Sequence, residues 1–242
     1  MIQLSIVTIN LNNADGLVNT LLSIFEQDFN AWELIVVDGG SIDESLDVLE
    51  KYSGRIYKCL VGQDSGIYNA MNIGIKCARG KYIHVLNSGD TYYHAKSLSN
   101  IDFGGTSTFF CLGVKKYSPK EYVWFPRVIK SESFVDLAHP GLIVRSDYYS
   151  KKLYDETFNI VSDSLFIFEN VTPCKRFLSN EILVEMQPEG ISTKVSFKHE
   201  MEKQSLFWKY GYRPKRRLLL SIKSFLVFLT RFFLNHFKRI LF

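Results

Sequence analysis

The first ninety residues alternate between strand-like and helix-like segments, and no other feature narrows the fold as far. Leu4 to Asn10 is apolar, Ala14 to Gln27 is helical, Glu33 to Asp38 is apolar again, and Ser41 to Tyr52 is helical. A strand near Ile56 to Val61, a helix from Ile67 to Arg79 closed by Gly80, and a strand from Tyr82 to Leu86 continue the series. Strands separated by helices require crossovers, which are right-handed and make the strands parallel. The pattern predicts an α/β fold, a mostly parallel sheet with helices on both faces. Ser41-Ile42-Asp43-Glu44 reads as a capping box at the start of the second helix.

Beyond residue 90 the rhythm becomes mixed. Thr108 to Val114 and Tyr122 to Val128 read as strands joined through Ser118-Pro119-Lys120-Glu121, and His139 to Arg145 reads as another. A short helix starts at Ser162, a strand runs near Ile182 to Met186, and Pro188-Glu189-Gly190 marks a turn. A boundary at Tyr212-Arg213-Pro214 separates a domain, residues 1–212, from a tail, residues 213–242. Within the domain, residues 1–92 form one half and residues 93–212 the other.

The tail is apolar, but Lys223, Arg231, Lys238 and Arg239 interrupt it before a membrane-spanning run of about eighteen residues forms. On a helix, Arg217, Ser224, Arg231 and Lys238 recur every seven residues and form one narrow polar stripe, while Phe225, Leu229, Phe232 and Phe233 belong to a wide apolar surface. That profile suits an amphipathic helix at an anionic membrane surface; its alternative is a helix buried in a homodimer interface. The net charge of +4 is mild and its excess gathers at Lys209, Arg213, Lys215, Arg216 and Arg217, which argues against nucleic acid as a partner. Cys59, Cys77, Cys111 and Cys174 have no zinc-type spacing and read as reduced core thiols. The N-terminus lacks the pattern of a signal peptide, so the expected location is the cytoplasmic side, peripheral on the inner face of the cell membrane.

Ligands of open parallel sheets bind beyond the carboxyl ends of the strands. Asp38 ends the second strand, Asp64 follows the third, and Asp90 follows the fourth in Asn87-Ser88-Gly89-Asp90. Carboxylates gathered there need hydrogen-bond donors or a cation, and a nucleotide with a hard divalent metal supplies both.

Two stretches, Val36-Val37-Asp38-Gly39-Gly40-Ser41-Ile42-Asp43 and Asp64-Ser65-Gly66-Ile67-Tyr68-Asn69-Ala70-Met71-Asn72, resemble motifs of the inverting family 2 glycosyltransferases of the GT-A fold, of the bacterial surface-polysaccharide type. The resemblance covers residues 2 to 92 strongly and thins toward residue 195, and it makes residues 1–92 the expected nucleotide-binding half and residues 93–212 the expected acceptor-binding half. It implies the Rossmann-like GT-A architecture, a nucleotide-sugar donor, with UDP the best guess, and Mn²⁺ or Mg²⁺ as cofactor. By resemblance, Thr8 and Asp38 contact the base, Asp64 lies by the nucleoside, and Asp90 holds the metal. The family's Asp-x-Asp cluster is reduced here to Asp90 alone, and one carboxylate suffices for Mg²⁺ when phosphate and water complete its shell. Ala138-His139-Pro140 resembles the acceptor-side loop, making His139 a candidate acceptor contact. Ile160-Val161-Ser162-Asp163 resembles the later acidic motif, making Asp163 the general base, with Asp155 its competitor. Expected acceptors are oligosaccharides, a polyprenyl-diphosphate-linked one fitting the tail.

Each of these residues has a structural role to set beside the functional one. Asp38 and Asp64 suit turns, Asp163 suits the first turn of a helix, and a buried histidine is more often a packed one. Tyr68 and Asn72 read as packing and polar-face positions. Among other functions, an oxidoreductase or a P-loop phosphotransferase would need glycine motifs that are absent after the first strand. A sugar nucleotidyltransferase would need a basic, glycine-rich loop there. A non-catalytic membrane-surface scaffold on the same fold stays open because of the reduced metal motif.

Overall fold

A computed structural model describes residues 1–117, 121–129, 134–171, 176–187, 201–202 and 204–205. The strands are β1 (Leu4–Asn10), β2 (Trp32–Asp38), β3 (Lys58–Val61), β4 (Tyr82–Val85), β5 (Thr91–Tyr92), β6 (Phe109–Tyr117), β7 (Glu121–Trp124), β8 (Arg127–Ile129), β9 (Phe134–Asp136), β10 (Leu142–Arg145) and β11 (Arg176–Glu185). The helices are α1 (Ala14–Phe25), α2 (Ser45–Lys51), α3 (Ile67–Cys77), α4 (Ser146–Tyr149) and α5 (Ser162–Phe166), the last running into a π-helical turn at Ile167–Val171.

The strands β3-β2-β1-β4-β10-β6-β11-β5 form one sheet in that order, with β7 added to β6. The expected parallel unit is β3-β2-β1-β4, in a register that sets Asn10 beside Asp38 and Val7 beside Val85. Past β4 the sheet turns mixed: β10 runs antiparallel to both β4 and β6, and β11 is parallel to β6. β8 and β9 form a separate antiparallel pair, Arg127 bonding Asp136 across it at 2.7 Å.

Strand alternation divides the apolar residues between two cores. Leu4, Ile6, Leu34, Val36, Tyr82, Phe110 and Ile143 face one side, where Leu17, Leu21 and Ile24 of α1 and Leu49 of α2 cover them. Val7, Ile9, Val37, Val85, Phe109, Cys111 and Val144 face the other, against Tyr68, Met71 and Ile75 of α3 and Phe166 of α5. Burying each such side chain stabilises the fold by about 1.5–3 kcal/mol before entropy is counted. Helices therefore cover both faces, as the alternation predicts.

The capping box does not form. α2 starts at Ser45, and no side-chain hydrogen bond from Glu44 caps it. Ser41 Oγ is drawn back to Asp38 Oδ2 at 2.7 Å, and Asp43 takes over the capping, accepting from Ser45 N at 3.1 Å and from Ala14 N of α1 at 3.0 Å. One carboxylate thus serves the first turns of two helices. Cys59 also departs from expectation: it is exposed on the edge strand β3, while Cys111 lies in the core. Cys174, residues 118–120, the turn at residues 188–190, the boundary at residues 212–214 and the tail 213–242 lie outside the described residues. Among the described residues no helix is long and apolar enough to cross a membrane.

At the amino end of the sheet, buried Glu33 accepts from Ser5 Oγ at 2.6 Å and from Arg79 Nε at 2.7 Å, and Gly80 N–H donates to Ser5 Oγ at 2.8 Å. A Cβ on Gly80 would lie 2.6 Å from Ser5 N, and backbone cannot yield as a side chain does. Gly80→Ala should therefore destabilise the protein by about 1–3 kcal/mol. Gly54→Ala, with nothing within 4 Å, should stay within about 0.5 kcal/mol of the parent in urea denaturation.

Candidate functional site

Because β10 reverses direction between them, β4 and β6 point the same way, and β11 follows β6. The carboxyl ends of β1, β2, β3, β4, β6 and β11 therefore share one edge of the sheet. Asp38, Asp64 and Asp90 emerge there, as strand order predicts.

Asp38 is fully buried and its carboxylate is saturated. Oδ1 accepts from Gly40 N at 3.0 Å and Ser41 N at 2.7 Å, and Oδ2 accepts from Asn10 Nδ2 at 2.8 Å and Ser41 Oγ at 2.7 Å. It builds the turn through Gly40, whose φ of +87° suits glycine. A ligand would reach Asp38 only by replacing one of these donors. Asp64 Oδ1 accepts from Gly66 N at 2.9 Å, and its Oδ2 lies only 2.8 Å from where a Cβ on Gly39 would stand. The glycine is what lets the turn after β2 meet the carboxylate after β3. Thr8 is fully buried on β1, and Thr8 Oγ1, Asn10 Oδ1 and Asn87 Oδ1 are buried oxygens without a protein partner. Buried polar atoms left unpaired cost about 1–3 kcal/mol each, so their gathering at the ends of β1 and β4 suits a polar ligand or water.

The turn after β4 is tied to α1: Gly89 N donates to Thr20 Oγ1 at 2.9 Å, and Thr20 Oγ1 donates to the Asp90 carbonyl at 2.8 Å. Asp90 is buried and its Oδ1 accepts from Gln187 N, just past β11, at 3.2 Å. Burial pushes the Asp90 carboxyl up to about 7, against the Gln187 N–H and the Lys116 charge, which both favour the anion. Among the described residues no group of three or more acidic, histidine or cysteine side chains could hold a metal. The donors present are the Asp90 carboxylate and the unpartnered Asn87 oxygen, hard oxygens that fit Mg²⁺ or Mn²⁺ when phosphate and water supply the rest.

Asp163 lies in the first turn of α5, where its Oδ1 accepts from Tyr68 OH at 3.0 Å and from Ser164 N at 2.7 Å. Burial and the Asp163 charge push the Tyr68 hydroxyl far above its ordinary range, so it stays a donor. His139 is buried, with Nε2 2.9 Å from Tyr154 OH, which lies 2.9 Å from Tyr149 OH. Burial lowers the His139 pKa despite the Asp163 charge, and the ring reads as a packed wall within electrostatic reach of Asp163. Its turn is pinned by His84, buried and neutral with a pKa lowered to about 4: Nε2 donates to the Pro140 carbonyl at 2.9 Å and Nδ1 accepts from Tyr92 OH at 2.8 Å. Asp155 is exposed and holds Thr157 N at 2.9 Å and Thr157 Oγ1 at 2.6 Å, a turn-building pattern.

Asn72 and Tyr68 do more than their sequence reading allows. Asn72 is buried, not on a polar face; its Nδ2 donates to the Tyr154 carbonyl at 2.9 Å and Glu156 Oε1 at 2.8 Å, and its Oδ1 accepts from Tyr154 N at 3.0 Å. Farther along the same loop, Glu202 accepts from Asn159 N at 3.0 Å and Ile160 N at 2.9 Å. Lys116 and Gln187 at the Asp90 turn carried no sequence signal, because only strand pairing brings them there.

The family model for glycosyl transferase family 2 matches residues 5–163. The chain is 31% identical over 133 residues to the PGL/p-HBAD biosynthesis glycosyltransferase of Mycobacterium tuberculosis, covering 54% of this chain and 48% of that protein. It is 30% identical over 102 residues to TuaG of Bacillus subtilis, named for glycosyl transfer in teichuronic acid biosynthesis, covering 41% of this chain and 40% of that one. The chain thus spans about half the length of these relatives or less. The structure of S. aureus TarS 1–349 in complex with UDP-GlcNAc superposes with a TM-score of 0.65 at 17% identity, covering 92% of this chain and 71% of that one, which shows a shared fold.

The Asp90 environment sets a pH dependence. The folded protein keeps this proton up to about pH 7, whereas the unfolded chain loses it near 3.8. The folded state then binds more protons in that window, so Asp90's contribution to stability declines as pH rises from about 4 through 7. Asp90→Asn should remove that decline, gaining stability at pH 8 relative to pH 5 by on the order of 1 kcal/mol or more in urea denaturation without added metal. Equal shifts at both pH values would show that the acid is not held protonated.

Proposed function

The chain belongs to glycosyl transferase family 2, and on that premise we propose that it moves a sugar, with inversion, from a nucleoside-diphosphate donor to a glycan acceptor in surface polysaccharide synthesis. The observation that carries this reading is the carboxyl edge itself: Asp38, Asp64 and Asp90 follow three strands of the parallel unit, and Tyr68 at the start of α3 reaches Asp163. UDP is the favoured donor nucleotide, as in the TarS complex with UDP-GlcNAc, and the name of TuaG points to an acidic cell-surface polymer as the kind of product.

In this reading Thr8, Asp38 and Asp64 receive the nucleoside, and Asp90 with Asn87 would hold Mn²⁺ or Mg²⁺. Such an ion supplies charge neutralisation for the departing diphosphate. Asp163 removes the proton from the acceptor hydroxyl as its oxygen attacks the anomeric carbon and the bond to the diphosphate breaks. Tyr68 and Ser164 occupy Asp163 Oδ1, which leaves Oδ2 for the hydroxyl. His139 shapes the wall behind it. The tail, residues 213–242, would hold the enzyme on the inner face of the membrane beside a lipid-linked acceptor, a polyprenyl diphosphate suiting its basic stripe. The reduced Asn87–Asp90 turn favours a second reading, a scaffold that has lost turnover. Slow hydrolysis of a nucleotide sugar by the purified protein with Mn²⁺ separates the two, since a scaffold would release no sugar.

Asp90→Ala should abolish metal-dependent binding of nucleoside diphosphate in calorimetry, because the turn holds no second carboxylate; unchanged Mn²⁺-dependent affinity would move the metal elsewhere. Asp163→Asn should keep donor affinity while turnover drops on the order of 10²-fold or more; near-normal turnover would hand the role to another acid, Asp155 first. Removing the residues after Pro214 should leave nucleotide binding intact and end co-sedimentation with anionic vesicles. Conversion of a dimer to monomer instead, with no vesicle binding by the full chain, would assign the tail to an interface.

A further inference from the structure

The turn after β4 offers one carboxylate where a nucleoside diphosphate brings several negative charges, and Asp64 and Asp163 add two more at the same edge. Lys116, near the carboxyl end of β6, is a cation within electrostatic reach of both sides: Asp90 and Asp163 each act on its ammonium. The connection to Asp90 is short and built from backbone. Met186 N donates to the Lys115 carbonyl at 2.8 Å, and the next residue, Gln187, donates its N–H to Asp90 Oδ1 at 3.2 Å. The Lys116 ammonium lies 4.9 Å from the centre of the Trp124 ring, and the side chain is half-buried. Its neighbour Lys115 pairs with Glu121 at 3.4 Å and Glu185 at 3.8 Å, whereas Lys116 has no closed ion pair among the described residues. Withdrawing an ammonium from water without a counter-ion is costly, and the ring face recovers only part of that cost.

We propose that Lys116 is a catalytic residue whose ammonium binds the donor's diphosphate and neutralises charge on it as it departs. The inference rests on the nucleotide-sugar reading above. It follows from position: the end of β6 is joined through Met186 and Gln187 to the Asp90 turn, and the charges of both Asp90 and Asp163 act on the ammonium, at the edge where the reading above has the bond to the diphosphate break. A compact cation with three rotatable donors suits phosphate oxygens whose geometry changes during that step. It also accounts for how the chain manages with a reduced metal turn, since part of the cationic charge is covalently attached.

The test uses the full chain with Mn²⁺ and calorimetry against UDP, GDP, ADP, CDP and dTDP, then against the nucleoside of whichever binds. Lys116→Met keeps the apolar stem over Trp124 and removes the charge. Affinity for the diphosphate should fall at least about tenfold, affinity for the free nucleoside should change less than about twofold, and Lys116→Arg should recover most of the loss. Sugar release at saturating donor should fall on the order of 10²-fold in Lys116→Met. Unchanged diphosphate affinity and turnover in Lys116→Met overturn the proposal, and so does an equal loss for nucleoside and diphosphate, which would mark a packing role. If the unsubstituted chain binds none of the five diphosphates, the donor reading itself falls and Lys116 with it.

Discussion

The direction of β10 is the constraint on which the rest of the molecule depends. Four parallel strands already bring their carboxyl ends to one edge, but β6 and β11 join that edge only because β10 enters antiparallel. One reversal followed by a second restores the original direction in β6, and β11 inherits it by pairing parallel to β6. Lys116 and Gln187 then emerge beside Asp90 although a long stretch of chain separates each from it. Had β6 paired with β4 directly in the opposite sense, its lysines would lie at the other end of the sheet, among Glu33, Arg79 and Gly80.

The two ends of the sheet are built differently. At the amino end, Ser5, Glu33, Arg79 and Gly80 satisfy one another and close the structure. At the carboxyl end, Asp38 is saturated, whereas Thr8, Asn10 and Asn87 keep buried oxygens without protein partners. A closed polar network thus lies at the amino end, while three strand-end oxygens at the carboxyl end are left for a ligand or water, as suits loops that carry function on a rigid sheet.

The parallel unit was legible because each segment announces itself locally: Leu4 to Asn10 and Glu33 to Asp38 are apolar runs long enough to be buried strands, and Gly80 closes the helix before β4. The placement of Asp90 after β4 and of Asp163 in the first turn of a helix was legible through position and motif. Local patterns misled where a competing partner or the final strand order decided the outcome. Ser41 fits a capping box until Asp38, three residues earlier, takes its hydroxyl, and Cys59 reads as a core residue until β3 proves to be an edge strand. Asn72 has the spacing of a surface position on α3, and only the folded chain supplies the Tyr154 backbone that buries it. Lys116 was hidden for the same reason, since a lysine in a strand has no address until its neighbours are known.

The stretch leading to Asp163 is fastened in two unlike ways. At Tyr154 it is gripped by Asn72 in a dry setting, where breaking the bonds would leave amide and carbonyl groups unsolvated. At Asn159 and Ile160 it is gripped by Glu202 at the surface, where water can replace each bond nearly one for one. In mechanical terms the first attachment is a pivot and the second a latch. Releasing the Glu202 end while Tyr154 stays held would free the stretch between them, and Asp163 follows three residues after Ile160, where the latch closes.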